Sequence, residues 1–132
     1  MAQHFKIITP VYNGAPWLTQ CIESVKSQKH TDFEQIIIDD CSTDCTYETA
    51  RSAIGGDSRF KIITNSKRQG VPLNQKKGVE EAEADAEDVI VHLDGDDWLY
   101  SPDSLDIVNS VYEEKDCWLT YGSYVTTTGE AP

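Results

Sequence analysis

The sequence predicts an α/β fold, with a mainly parallel sheet held between helices. Two observations carry that prediction. Short apolar runs alternate with amphipathic stretches in a steady rhythm along all 132 residues, which is how successive strand–helix–strand units read in sequence. The run Ile36-Ile37-Ile38 is apolar without alternation, as a parallel strand buried on both faces is. No internal repeat or linker composition interrupts the rhythm, so residues 1–132 are expected to form one Rossmann-like domain in three αβα layers.

The elements follow in order. A first strand is expected over residues 5–9, closed by Pro10, which has no N–H to give a sheet ladder. A helix over residues 15–29 comes next. Leu18, Cys21, Ile22 and Val25 fall at i, i+3, i+4 and i+7, the spacing of a core-facing stripe. The second strand spans residues 34–38 and ends in Asp39-Asp40. Asp44 or Thr43 caps the helix after it, which continues to Ala53 before Gly55-Gly56 stops it. Residues 60–64 form a third strand and residues 65–70 a loop, with Pro72 suited to a helix start. This third helix is expected to reach Ala86, turning Val79, Ala82 and Ala86 inward. Its acids, from Glu80, Glu81 and Glu83 through Asp85, Glu87 and Asp88, form a solvated outer face. The fourth strand takes residues 89–93. Ser101 or Asp103 opens a fourth helix that shows Leu105, Val108 and Tyr112 on one side, residues 117–121 read as a fifth strand, and residues 126–132 form a polar tail.

Charge excludes whole classes of partner. Eleven Lys and Arg stand against 23 Asp and Glu, a formal charge of −12. Affinity for a nucleic-acid backbone needs clustered cations, so no nucleic-acid partner is expected. A polybasic membrane surface is absent for the same reason. No apolar run approaches the roughly 18 residues of a membrane helix, and residues 1–5 lack a signal peptide's apolar core, which gives a cytoplasmic expectation. Cys21, Cys41, Cys45 and Cys117 read as free thiols. The Cys41/Cys45 spacing has no neighbouring His to complete a zinc site.

The chemistry gathers at three strand ends: Thr9-Pro10-Val11-Tyr12-Asn13-Gly14, then Asp39-Asp40-Cys41-Ser42, then Asp94-Gly95-Asp96-Asp97. Ligands of open α/β sheets bind beyond the carboxyl ends of the strands, so these segments are expected to converge on one site. Two carboxylates about 5 Å apart repel by roughly 3 kcal/mol at an effective dielectric of about 20. A cluster of three therefore calls for proton uptake or a divalent cation. Hard oxygen donors point to Mg²⁺ or Mn²⁺. His92 stands one strand period from Asp94; a half-buried strand histidine is the plainer reading, with a ligand role left open.

These segments, together with the glycine pair Gly70 and Gly78, resemble the donor-binding half of family-2 glycosyltransferases of the GT-A type, over about residues 4–124. The resemblance implies metal-dependent binding of a nucleotide-sugar, a UDP-sugar being favoured, for inverting transfer to a saccharide, lipid or protein hydroxyl. It places Pro10, Tyr12, Asp40, Asp96 and Arg68 at the nucleotide. Tyr12 would stack on the base and Asp40 would accept a pyrimidine ring N–H. Asp96 would lie near the ribose and Asp97, with Asp96 and Asp94, on a Mn²⁺ or Mg²⁺ that bridges the diphosphate. Gly95 would leave backbone room for that approach.

Plainer structural roles stand beside these: packing for Tyr12, a turn cap for Asp39, a helix-capping acidic turn for Asp96 and Asp97, and turn formation for Asn13 and Gly14. The sequence also departs from the family. Cys41 and Cys45 stand where glycines are usual, and Gln75 stands at the family's arginine position, so Arg68, Lys76 or Lys77 would have to meet the diphosphate. Family members continue into an acceptor-binding region that carries the general base. Here only Glu130 follows Asp116 among the acids. The chain is therefore expected to be the donor-binding portion of a longer enzyme, with the general base outside it. Two alternatives remain: a catalytically silent nucleotide-sugar-binding module, and a receiver-like signalling domain, whose acid pair would follow the first strand.

Overall fold

Among the described residues, four strands and four helices alternate: β1 (Phe5–Val11), α1 (Ala15–Lys26), β2 (Phe33–Asp39), α2 (Thr46–Ile54), β3 (Phe60–Thr64), α3 (Val71–Glu81), β4 (Val89–His92) and α4 (Ser104–Glu114). The computed structural model describes residues 2–129. Every pairing among the four strands is parallel and their order is β3-β2-β1-β4. The chain adds β2 and β3 on one side of β1, then crosses to place β4 on the other. The strand order thus reverses at β1, where such sheets open a ligand crevice. Receiver-type sheets run 2-1-3-4-5, so this order removes the signalling-domain alternative.

Seven consecutive buried residues in β1 follow from its central place with both faces covered. One face carries Phe5, Ile7 and Val11 against Leu18, Ile22 and Val25 of α1, Ala50 and Ile54 of α2, and Leu105 of α4. The other carries Ile8, Ile36 and Ile38 against Ala82, with Val79 partly buried beside them. Gly78 allows α3 to lie this close, because a Cβ there would come within 2.3 Å of Ile8 Cγ2. No helix among the described residues is long and apolar enough to cross a membrane.

The structure revises several expected boundaries. Pro10 does not end β1: it pairs with Ile38, and the strand continues to Val11 opposite Asp39. Its carbonyl accepts the Gly95 N–H at 3.2 Å on the β4 side, so its missing donor faces the flank where β4 has already ended at His92. Helix α1 stops at Lys26 rather than Lys29 because Gln28 ties the chain to the segment before α4. Its amide donates to Ser101 O at 2.7 Å and accepts from Leu105 N at 3.0 Å, while Lys29 N donates to Pro102 O at 2.9 Å.

Helix α3 ends at Glu81, and Glu83 turns left-handed at φ +50°. A run of acids at a helix C-terminus opposes the macrodipole, and Ala86 is consequently exposed in the turn beyond, not turned inward. Glu81 pairs with Lys61, and the rest of the acidic stretch is largely solvated. The expected fifth strand at residues 117–121 is absent. That segment has no ladder partner, and Trp118 and Tyr121 are each 96% exposed. The sheet among the described residues therefore has four strands, with β4 at one edge. Of the polar tail only residues 126–129 fall within the described chain, and Glu130 lies outside it.

Candidate functional site

The reversal of strand order brings all three polar strand ends to one rim. Asp40 N donates to Val11 O at 2.8 Å, and Gly95 N donates to Pro10 O at 3.2 Å. The end of β1 is thereby joined to the Asp39-Asp40 pair on one flank and to the acidic turn on the other. Tyr12, the residue after β1, is 42% exposed.

Asp40 is the organising group on the β2 flank. Its Oδ1 accepts Asn65 Nδ2 at 2.9 Å and Gln69 N at 2.8 Å, and its Oδ2 accepts Gly70 N at 3.0 Å and Arg68 Nε at 3.2 Å. Burial alone would push this carboxyl up. The hydrogen bonds from Asn65 and from the Gln69 and Gly70 N–H groups outweigh it and hold the carboxyl well below the usual range. Asp40 is therefore a fixed, ionised acceptor. Gly70 presents its N–H from φ +87°, a conformation that side-chain-bearing residues rarely adopt.

Sequence reasoning missed the support beneath Asp40. Asn65 and Asn74 are buried, and Asn65 Nδ2 also donates to Asn74 Oδ1 at 2.7 Å. Lys77 Nζ donates to Asn65 Oδ1 at 2.8 Å. The available signal was the position of Asn65 directly after the third strand, where the flanking strands also end in polar residues.

The candidate cations are thus divided. Lys77 supports Asn65, and Lys76 faces Glu80 at 3.9 Å. Arg68 lies on Tyr12, its Cζ 3.4 Å from the ring centroid, and on Asp40.

The loop residues have defined work. Asn13, at φ +49°, accepts from Thr43 N at 2.8 Å and Asp44 N at 3.3 Å, so it joins the turn after β1 to the turn after β2. Asp39 Oδ1 accepts Ser42 N at 3.1 Å, which is a turn-capping contact. Asp44 bonds Thr46 N at 3.0 Å and Ala15 N at 3.3 Å, serving the starts of α2 and α1 together from one residue outside the N-cap position, which Cys45 holds. Cys41 adopts φ +62°, so the loop keeps a glycine-like backbone at the position where the family resemblance led to a glycine.

On the β4 flank, ligand atoms of Asp94, Asp96 and Asp97 all lie within 4.8 Å of one another. Although Asp97 is exposed as a residue, partial burial of its oxygens pushes its carboxyl up, and the charges of Asp96 and Asp94 push it further. Among the described residues no Lys, Arg or His forms an ion pair with these three. Three hard carboxylate donors without an internal counter-charge fit Mg²⁺ or Mn²⁺. His92 is not part of the cluster. Gly95 is required by packing: a Cβ would meet Val11 Cβ and Cγ2 at 2.7 Å. Beneath the turn, the buried Cys21 thiol lies 3.7 Å from Asp94 O, and burial pushes its pKa up to about 12, so it acts as a donor and not as a nucleophile.

Comparison with known proteins identifies the family and the fold. The family described as Glycosyl transferase family 2 matches residues 6–129. An uncharacterized glycosyltransferase of Haemophilus influenzae is 34% identical over 118 residues, covering 89% of this chain and 46% of that protein. The putative teichuronic acid biosynthesis glycosyltransferase TuaG of Bacillus subtilis is 29% identical, covering 89% and 45%. This chain thus spans less than half the length of these two relatives. Among solved structures, Staphylococcus aureus TarS in complex with UDP-GlcNAc superposes with a TM-score of 0.74 at 24% identity, over 85% of this chain and 32% of that one. The mannosyltransferase PcManGT of Pyrobaculum calidifontis, in complex with GDP-Man and Mn²⁺, gives 0.72 at 19% identity, over 84% and 32%. At these identities the likeness establishes the fold.

Proposed function

The chain belongs to glycosyltransferase family 2, and from that premise we propose that it binds the nucleotide-sugar donor of a glycosyl transfer, a UDP-sugar in preference, together with a divalent cation. The observation that carries this reading is the shared rim: an exposed aromatic after β1, an ionised acceptor after β2 and a three-carboxylate turn after β4, joined through the backbone of Pro10 and Val11. The nucleotide-sugars in the TarS and PcManGT complexes agree with it.

Each group has a defined task. The face of Tyr12 takes the base. Asp40, held ionised, accepts a ring N–H, which uracil offers at N3 and cytosine lacks. Asp96 is assigned to the ribose, and Asp97 with Asp94 and Asp96, whose ligand atoms lie within 4.8 Å of one another, would hold Mg²⁺ or Mn²⁺. When bound, that ion neutralises the charge of the departing diphosphate. The acceptor hydroxyl attacks the anomeric carbon from the side opposite the diphosphate. The new C–O bond forms as the old one breaks, the configuration inverts, and the hydroxyl proton leaves to a general base.

Calorimetry with UDP tests this. Binding is expected in the presence of Mn²⁺, and Asp97→Ala is expected to abolish its metal dependence. No heat with UDP and Mn²⁺, or unchanged binding in Asp97→Ala, would remove the reading.

A further inference from the structure

We infer that Arg68 is the internal occupant of the base site, and that a nucleobase enters by displacing its guanidinium from Tyr12 and Asp40. The inference rests on the reading of Tyr12 and Asp40 as the base-binding pair.

A carboxylate offers about four acceptor directions, and on Asp40 four donors take them. Three of these belong to the framework: the buried Asn65 amide and the Gln69 and Gly70 backbone N–H groups that shape the loop. The fourth is Arg68 Nε, at 3.2 Å the longest of the set and on a side chain 55% exposed. An incoming ring N–H can therefore reach Asp40 by replacing Arg68 without dismantling the loop.

The same guanidinium covers Tyr12, 3.4 Å from the ring centroid. Arg68 thus makes both contacts expected of a uracil ring: a flat group on the aromatic face and an N–H into the carboxylate. Two planar groups cannot fill that space together. Cation–π contact and a single hydrogen bond on an exposed side chain are weak enough to exchange. The apparent Kd for a nucleotide is then its intrinsic Kd divided by the fraction of molecules in which Arg68 stands aside.

The test is the association rate of UDP, measured by stopped flow at constant ionic strength with Mg²⁺ present. Arg68→Ala is expected to bind about tenfold faster than wild type, as removal of the internal competitor requires. Electrostatic steering predicts the opposite sign, since deleting a cation from an acidic protein slows the approach of an anionic nucleotide. An unchanged or slower rate therefore overturns the inference. A second measurement uses the wild-type chain, with the Arg68 Nε–H signal assigned in ¹⁵N NMR spectra by its loss in Arg68→Lys. Saturation with UDP and Mg²⁺ is expected to release it from Asp40, and retention of that bond with UDP bound would also overturn the proposal. Failure of UDP to bind wild type at all would strike the nucleotide reading itself.

Discussion

Asn65 Nδ2 stands 2.9 Å from Asp40 Oδ1, and the orientation of that amide is set from behind, where Lys77 Nζ donates to Asn65 Oδ1 at 2.8 Å. A helix cation therefore decides which way a buried amide faces, and the amide helps hold a carboxylate ionised at the rim. Replacing Asn65 by Leu leaves Asn74 Oδ1 and one position of Asp40 without their donor. An unsatisfied buried acceptor costs about 1–3 kcal/mol, so Asn65→Leu is expected to lose that much stability in urea denaturation and to weaken UDP binding.

Acid should act through the lowered carboxyls. The folded Asp40 carboxyl lies below its ordinary value of 3.8, because its hydrogen bonds outweigh the opposing effect of burial. Asp57 is lowered to about 2, first by the Arg59 side-chain hydrogen bond. A depressed pKa gives stability that is present above the unfolded value and lost as pH falls through the folded one. Thermal stability is accordingly expected to hold near neutral pH and to fall below about pH 4. The Asp40→Asn variant is expected to be less stable at neutral pH and to show a shallower decline over the same acid range.

The acidic turn predicts the reverse sign. The Asp97 carboxyl is raised by partial burial and by Asp96 and Asp94, so its ionisation opposes folding and stability is lost as pH rises through its folded pKa. Asp97→Asn is expected to melt slightly higher than wild type without metal. Mn²⁺ should reverse that ranking: at about 100 times its Kd a ligand of the native state adds roughly 2.7 kcal/mol, a gain expected for wild type and absent in Asp97→Asn. Melting curves with and without Mn²⁺ check both halves.

Three glycines give a graded packing test. A Cβ at Gly78 would stand 2.3 Å from Ile8 Cγ2, and one at Gly95 would stand 2.7 Å from Val11, whereas Gly56 has nothing within 4 Å. Overpacking of this kind costs typically about 1–3 kcal/mol. Gly78→Ala is expected to lose stability in that range, and Gly95→Ala to weaken Mn²⁺ binding as well because the turn must shift. Gly56→Ala is expected to lose little, with urea unfolding as the measure.

The sequence by itself determined the α/β class, the eight observed elements to within a few residues, and the polar strand ends. These are local properties, since helical spacing and unbroken apolar runs encode which faces are buried. It also marked Tyr12, Asp40 and the Asp94–Asp97 segment as chemically unusual. Four outcomes depended on the assembled molecule. Pro10 remains within β1 because the strand on its donor-less side has ended, and α1 stops early because Gln28 finds partners more than seventy residues away. Residues 117–121 carry an apolar pattern but have no neighbouring ladder, so the pattern alone did not make a strand. Asp40 is ionised, and covered by Arg68, through contacts from segments 25 to 30 positions along the chain. Hydrogen-bond saturation and stacking are relations between distant segments, and the strand order that creates them has no local signature.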